Sequence, residues 1–188
     1  MDGVLAGIFV GGAGSRMGGR AKGLLAAPEG GTLVERWVAL LRVVGVARVL
    51  LVGQHDGYGH LGLEAIDDEP SGIGPMGGLA ALLRRAGDGH ALALACDMPF
   101  VSPSVVSRLL LSAGDASVVA PRHDERWEPL CARYDAARVL PAVLLKIASH
   151  RHALQPLLTE AGAVVLPLER EEVAGLRDWD TPDDVRRG

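Results

Sequence analysis

The sequence predicts an α/β fold, a mostly parallel sheet covered by helices on both faces. Two observations carry that expectation. Short apolar runs of strand length end at glycine or aspartate, and between them lie stretches whose apolar residues recur at helical spacing. Residues 4–10 form the first such run. Thr32-Leu33-Val34-Glu35 has the capping-box pattern, and Val34, Trp37, Val38, Leu41 and Val44 then mark one helical face until Gly45 ends it. Residues 47–52 are a second strand. A turn over residues 74–78 opens a helix over 79–85, and residues 90–95 form a buried strand leading to Asp97. Ser102-Pro103 starts a helix, with serine as cap and proline in the first turn. Further strands are expected at 117–120, 130–133 and 163–166, and helices at 136–147 and 153–161. Thr181-Pro182 caps a short final helix. The segment 56–62 holds Gly57, Gly59 and His60, with His55 just before it, and reads as a mobile loop. No linker, repeat or low-complexity stretch divides the chain, so one domain over residues 1–188 is expected.

The run Gly11-Gly12-Ala13-Gly14-Ser15-Arg16-Met17-Gly18-Gly19-Arg20-Ala21-Lys22 follows the first strand directly. A glycine-rich turn there lets backbone N–H groups approach a bulky anion, and Arg16 and Lys22 add cations. Two common phosphate loops fail. The dinucleotide fingerprint G-x-G-x-x-G fits Gly12 and Gly14 but then meets Met17, and no acidic residue closes an obvious second strand about 20 residues on. The G-x-x-x-x-G-K-[ST] loop fits Gly14 and Gly19 but continues with Arg20-Ala21, losing both the lysine and the hydroxyl. The pattern that fits is strand, G-G-x-x-x-R-M-G, a gap, then K-x-L-L, the signature loop of nucleotidyltransferases.

Four more motifs follow in order: Gly74-Pro75-Met76-Gly77-Gly78-Leu79, Ala95-Cys96-Asp97-Met98-Pro99-Phe100, Glu128-Pro129-Leu130 and Asp180-Thr181-Pro182-Asp183-Asp184. Together with the glycine run they resemble the molybdenum cofactor guanylyltransferase family over nearly the whole chain. The resemblance implies a three-layer αβα nucleotidyltransferase fold, Rossmann-like and of the nucleotide-diphospho-sugar transferase type. It implies GMP transfer from magnesium–GTP to the terminal phosphate of molybdopterin or molybdenum cofactor. Recipient molybdoenzymes or other cofactor-biosynthesis proteins would be the partners. In that family an aspartate near the place of Asp68 contacts the nucleotide, where a carboxylate suits the N–H donors of a guanine edge, and the turn at Gly74–Leu79 has the form of the guanylyl rather than the cytidylyl enzymes. Two departures stand out. Ala21 replaces the usual Asp or Asn before the lysine, and Asp178-Trp179-Asp180-Thr181-Pro182 replaces N-x-N-T-P.

Composition narrows the classes. Hydrophobic residues make up 48% but aromatics only 4%, so the core is aliphatic. A net charge of −4 gives no broad basic surface for a nucleic acid. No run of 18 apolar residues predicts a membrane span, and Met1-Asp2-Gly3 lacks the basic start of a signal peptide. Cys96 and Cys131 are too few for a disulfide framework and read as buried thiols. A cytoplasmic protein is the expectation.

Nucleotidyl transfer asks a protein to neutralise the triphosphate, expose the α-phosphorus and stabilise the leaving pyrophosphate. Arg16 and Lys22 are the candidate triphosphate cations, with Asp97 the candidate magnesium ligand. A lone carboxylate at a strand end suits magnesium, which takes one or two carboxylates plus phosphate oxygens and water. The candidate nucleotide site is Gly11, Gly12, Gly14, Ser15, Arg16, Lys22, Asp68, Gly74, Gly77, Gly78 and Asp97, with Gly77 and Gly78 letting base or ribose approach the backbone. Glu128, Arg151 and Asp180 are the candidates toward molybdopterin. Each has a plainer reading: a tight turn at the glycines, solvated loops at residues 67–69 and 150–152, and a helix cap at Asp180-Thr181-Pro182. Rival functions are a cytidylyltransferase for the same cofactor, a sugar-phosphate nucleotidyltransferase, or a non-catalytic nucleotide or cofactor carrier.

Overall fold

The computed structural model describes residues 3–11, 21–54, 56–112 and 115–187. Nine strands and seven α-helices are described, and they alternate as foreseen only through β5, with β3 added after β2: β1 (Val4–Phe9), α1 (Leu33–Val43), β2 (Arg48–Val52), β3 (Glu64–Ile66), α2 (Pro75–Ala86), β4 (His90–Ala95), α3 (Pro103–Leu111) and β5 (Val118–Ala120). There follow β6 (Arg122–His123), β7 (Arg126–Trp127), β8 (Cys131–Asp135), α4 (Ala136–Ala148), α5 (Leu154–Glu160), β9 (Val164–Val165), α6 (Arg170–Gly175) and α7 (Pro182–Arg187). Seven strands make one sheet in the order β3-β2-β1-β4-β8-β5-β9, and β6 and β7 form a separate hairpin.

Side chains alternate across the sheet and so build two cores. Ala6 and Ile8 of β1, with Val10 just past its end, join Trp37 and Leu41 of α1 and Val105 and Leu109 of α3 on one face. Leu5 and Phe9 join Leu79, Leu82 and Leu83 of α2 and Val139 and Val143 of α4 on the other. The result is the expected αβα sandwich. The helix starts are those the sequence marks. Thr32 Oγ1 accepts from Glu35 N at 3.3 Å while Thr32 N donates to Glu35 Oε2 at 2.7 Å. Ser102 Oγ accepts from Val105 N at 3.4 Å.

Several details differ from the sequence reading. α2 begins at Pro75, so Gly77 and Gly78 lie inside its first turn rather than before it. Residues Asp56–Leu61 form a 3-10 helix, not a mobile loop, because Tyr58 is buried at 3% exposure and anchors it; His55 lies outside the described residues. β8 is reversed: it pairs antiparallel with both β4 and β5, while β1, β2, β3 and β4 run parallel, as do β5 and β9. Cys131 lies opposite Leu94 and Asp135 opposite His90, so β8 starts at the carboxyl edge of β4. That reversal sends the segment before it, hairpin included, over the same edge where β1 and β4 end. Among the described residues no helix is long and apolar enough to cross a membrane.

Candidate active site

In an open α/β sheet, ligands bind at the carboxyl edge. There, β1 and β2 are pinched together. The N–H groups of Val10 and Gly11 both donate to Val52 O, at 2.9 and 3.2 Å. Gly53 sits at φ +94°, and a Cβ on it would meet Gly11 Cα at 2.7 Å, so only glycine fits the pinch. Beyond it opens a cavity of about 790 Å³, lined by Gly11, Lys22, Asp68, Gly74, Asp97 and Asp180 among others. That volume suits a nucleotide-sized ligand.

Three chain segments deliver the charged groups. Lys22 opens a short 3-10 turn, Lys22–Leu24. Asp97 stands two residues past β4, and Asp180 two residues before α7. The Lys22 ammonium donates to Asp97 Oδ2 at 2.7 Å and to Asp180 Oδ1 at 2.5 Å. Burial works against the lysine's charge, but the bonds and Coulombic pull of Asp180 and Asp97 outweigh it and hold its pKa above the ordinary value. Asp180 is fixed by its neighbour. Trp179 is 2% exposed, packs with Ala27 and Leu33, and meets Phe100 edge-on at 5.9 Å between ring centroids. Its N–H donates to Asp97 O at 2.8 Å, tying the two aspartate segments together through the backbone.

Asp68 forms another part of the wall. Gly77 and Gly78 explain its position: a Cβ on Gly77 would lie 2.3 Å from Pro70 O, and one on Gly78 would lie 2.9 Å from Asp68 Oδ1. Both glycines are buried against residues 68–70 of their own chain and do not line the cavity. Their bareness admits the Asp68 segment, and at Gly78 also Val52 and Phe9 of the cavity wall. Burial, and then the charge of Asp67, push the Asp68 carboxyl upward. Gly74, at φ +70°, caps α2 and does line the cavity.

Glu128 adjoins the same cluster. Burial, then the negative charge of Asp178, push its carboxyl up to about 7, while Arg126 and His123 of the hairpin pull the other way. Asp178 is itself pushed up by burial and by Asp180 and Asp97. The folded protein thus keeps a proton on Glu128 that the unfolded chain has lost above roughly pH 4.5. Stability through this group is therefore highest below pH 4.5 and falls as pH rises toward 7. Replacing Glu128 by glutamine is expected to leave stability at pH 4.5 unchanged and raise it at pH 8 by about 1–2 kcal/mol, discounted for partial exposure. Urea unfolding at the two pH values checks this, and an equal gain at both would rule it out.

Of the sequence candidates, the structure brings Gly11, Lys22, Asp68, Gly74, Asp97 and Asp180 to one cavity. Asp180 meets Lys22 rather than standing apart over a second site. Arg151 is exposed beyond α4, where its charge bears on Glu160, and it does not line the cavity. Gly12, Gly14, Ser15 and Arg16 lie outside the described residues. Sequence reasoning missed the anchoring role of Trp179 and the hairpin carrying Arg122 and Arg126. A tryptophan set between two aspartates, in a chain with three tryptophans in all, was the available signal for the first.

Chemically, the site pairs hard oxygen donors with one ammonium. Among the described residues no group of three or more acidic, histidine or cysteine side chains forms a ready metal cage. Magnesium needs none: one or two carboxylates suffice when phosphate oxygens and water complete the shell. Asp97 and Asp180, already gathered around one cation, fit that requirement.

A probable molybdenum cofactor guanylyltransferase of Clostridium perfringens (strain ATCC 13124) is 33% identical over 130 residues, covering 69% of this chain. The chain spans 64% of that protein's length. A molybdenum cofactor guanylyltransferase of Xanthomonas euvesicatoria pv. vesicatoria (strain 85-10) is 32% identical over 185 residues, covering 96% of this chain and 91% of that one. The crystal structure of molybdopterin-guanine dinucleotide biosynthesis protein A from Archaeoglobus fulgidus superposes with a TM-score of 0.75 at 28% identity, covering 97% and 95% of the two chains. The sequence model of MobA-like NTP transferase domains matches residues 6–164, a span that holds Lys22, Asp68 and Asp97 and the strands that carry them. On that match and these relatives, the chain belongs to the MobA-like NTP transferase domain family.

Proposed function

We propose that this chain transfers GMP from magnesium–GTP to the terminal phosphate of molybdopterin, with or without its metal, giving the guanine dinucleotide cofactor and pyrophosphate. The observation that carries the reading is the ammonium of Lys22 set between Asp97 and Asp180 in a nucleotide-sized cavity at the carboxyl edge. The names of the similar proteins supply the substrate pair.

In this reading an oxygen of the acceptor phosphate forms a bond to the α-phosphorus of GTP. The bond from that phosphorus to the oxygen bridging toward the β-phosphate breaks, and its electron pair leaves with pyrophosphate. The attacking oxygen is already ionised at neutral pH, so no side chain has to remove a proton. Lys22 and Arg16 would hold the triphosphate, and Asp97, with Asp180 beside it, would hold magnesium. The metal, when bound, neutralises charge on the phosphates and on the leaving group. Asp68 faces the base, where a carboxylate accepts from the N–H donors of a guanine edge. The acceptor lies toward Glu128 and the hairpin, whose exposed Arg122 and Arg126 offer charge to a phosphate.

The test is binding of GTP, CTP, ATP and UTP with magnesium, followed by pyrophosphate release on adding molybdopterin. GTP selectivity with release is expected. Preference for CTP would move the protein to cytidylyl transfer, and binding without release would make it a carrier.

A further inference from the structure

The proposed transfer, on which this inference rests, asks Lys22 to hold the triphosphate and Asp97 to hold the divalent cation. In the structure these two groups hold each other. The ammonium stands 2.7 Å from Asp97 Oδ2 and 2.5 Å from Asp180 Oδ1. Laid end to end, the two bonds separate the oxygens by about 5 Å at most, and magnesium binds oxygens at about 2.1 Å. Between those two oxygens there is room for one cation, an ammonium or a metal ion. Charge leads to the same place. Asp97, Asp178 and Asp180 lie together, and Lys22 is the cation bonded to them among the described residues. Ala21 beside it has no polar group to hold the lysine elsewhere. The backbone of the turn is fixed by Leu24 N donating to Ala21 O and Leu25 N to Lys22 O, both at 3.0 Å, which leaves the flexible four-carbon stem as the part free to move.

We infer that Lys22 is the resident counter-ion of the Asp97–Asp180 pair, and that the divalent cation and the triphosphate therefore enter this site together. A free metal ion meets carboxylates already compensated. A free triphosphate meets a lysine already engaged. When both arrive, the triphosphate takes the ammonium and the metal takes the carboxylates, so each ligand removes the obstacle to the other. Linkage makes the effect reciprocal: nucleotide tightens metal by the factor by which metal tightens nucleotide.

The experiment is calorimetric titration of the full chain with manganese chloride as probe. Without nucleotide, Lys22→Met is expected to bind Mn²⁺ at least tenfold more tightly than wild type. Adding Asp97→Asn to Lys22→Met is expected to abolish that gain. Wild type is expected to bind the preformed Mn²⁺–GTP complex at least tenfold more tightly than either Mn²⁺ alone or metal-free GTP. Equal nucleotide-free affinities for wild type and Lys22→Met, with matching circular dichroism spectra, would overturn the inference. So would a gain that survives Asp97→Asn, since the ion would then be binding elsewhere. Lys22→Gln serves the same comparison if the methionine variant fails to fold. Preference for CTP over GTP, or binding without turnover, would remove the guanylyl reading and leave the nucleotide-free Mn²⁺ comparison standing, so the two failures are distinct.

Discussion

Replacing Asp97 by alanine is expected to lower magnesium-dependent turnover on the order of 10³-fold or more while leaving a folded protein. The first half follows from electrostatics. A group that fixes the cation on the triphosphate acts where charge builds up in the transition state, and water does not substitute for it in a cavity partly closed by protein. The second half follows from how Asp97 is held. Its carbonyl, not its carboxylate, accepts from Trp179 N, so the tie between the two aspartate segments survives the substitution. The lost ion pair is small in stability terms, because partly exposed pairs contribute about 0–1 kcal/mol. Lys22 keeps Asp180, and Asp178 loses one of the negative charges that push its carboxyl upward. Steady-state pyrophosphate release and a urea titration measure the two halves. Full magnesium-dependent activity in the variant would refute the metal assignment.

Trp179→Ala is expected to cost about 3–5 kcal/mol, the usual range for emptying a buried tryptophan site, and to lower turnover with it. Trp179 packs with Ala27, Leu33 and Phe100 in a small cluster apart from the two sheet cores. Losing it therefore frees residues 178–180 before it melts the sheet, and Asp180 leaves Lys22. Phenylalanine keeps much of the apolar contact and is expected to restore most of both stability and turnover. Limited proteolysis distinguishes local from global loss: cleavage near residue 178 at denaturant concentrations where the sheet still resists digestion is the expected pattern. Wild-type stability and activity in Trp179→Ala would show that Asp180 needs no anchor.

The strands most readable in the sequence were those buried on both sides, because burial on both faces writes a continuous apolar run. β1, β2 and β4 are of that kind. β3 was missed because its three residues lie at the sheet edge and are only partly covered, so Glu64 is tolerated there. The reversal of β8 was illegible for a different reason. Strand direction is set by which neighbours a strand pairs with, and Cys131–Asp135 would read the same in either sense. At the site, Lys22 and Asp97 were legible because each follows a motif of local sequence. The meeting of Asp180 with Lys22 was not, since the two are 158 residues apart and only the tertiary fold closes that distance. Gly77 and Gly78 were legible as bare positions, but bareness in a sequence says that something approaches, not that it includes the segment of Asp68.

The separation of Lys22 from Asp180 also bears on how the protein is made. Among the described residues every strand of the sheet precedes Leu166, so the sheet is synthesised before Asp180. A polypeptide interrupted after β9, or trimmed there by a protease, retains the whole sheet yet lacks Asp180 and its tryptophan. In the proposed reading, such a chain keeps Lys22 and Asp97 but has lost the second carboxylate around the cation.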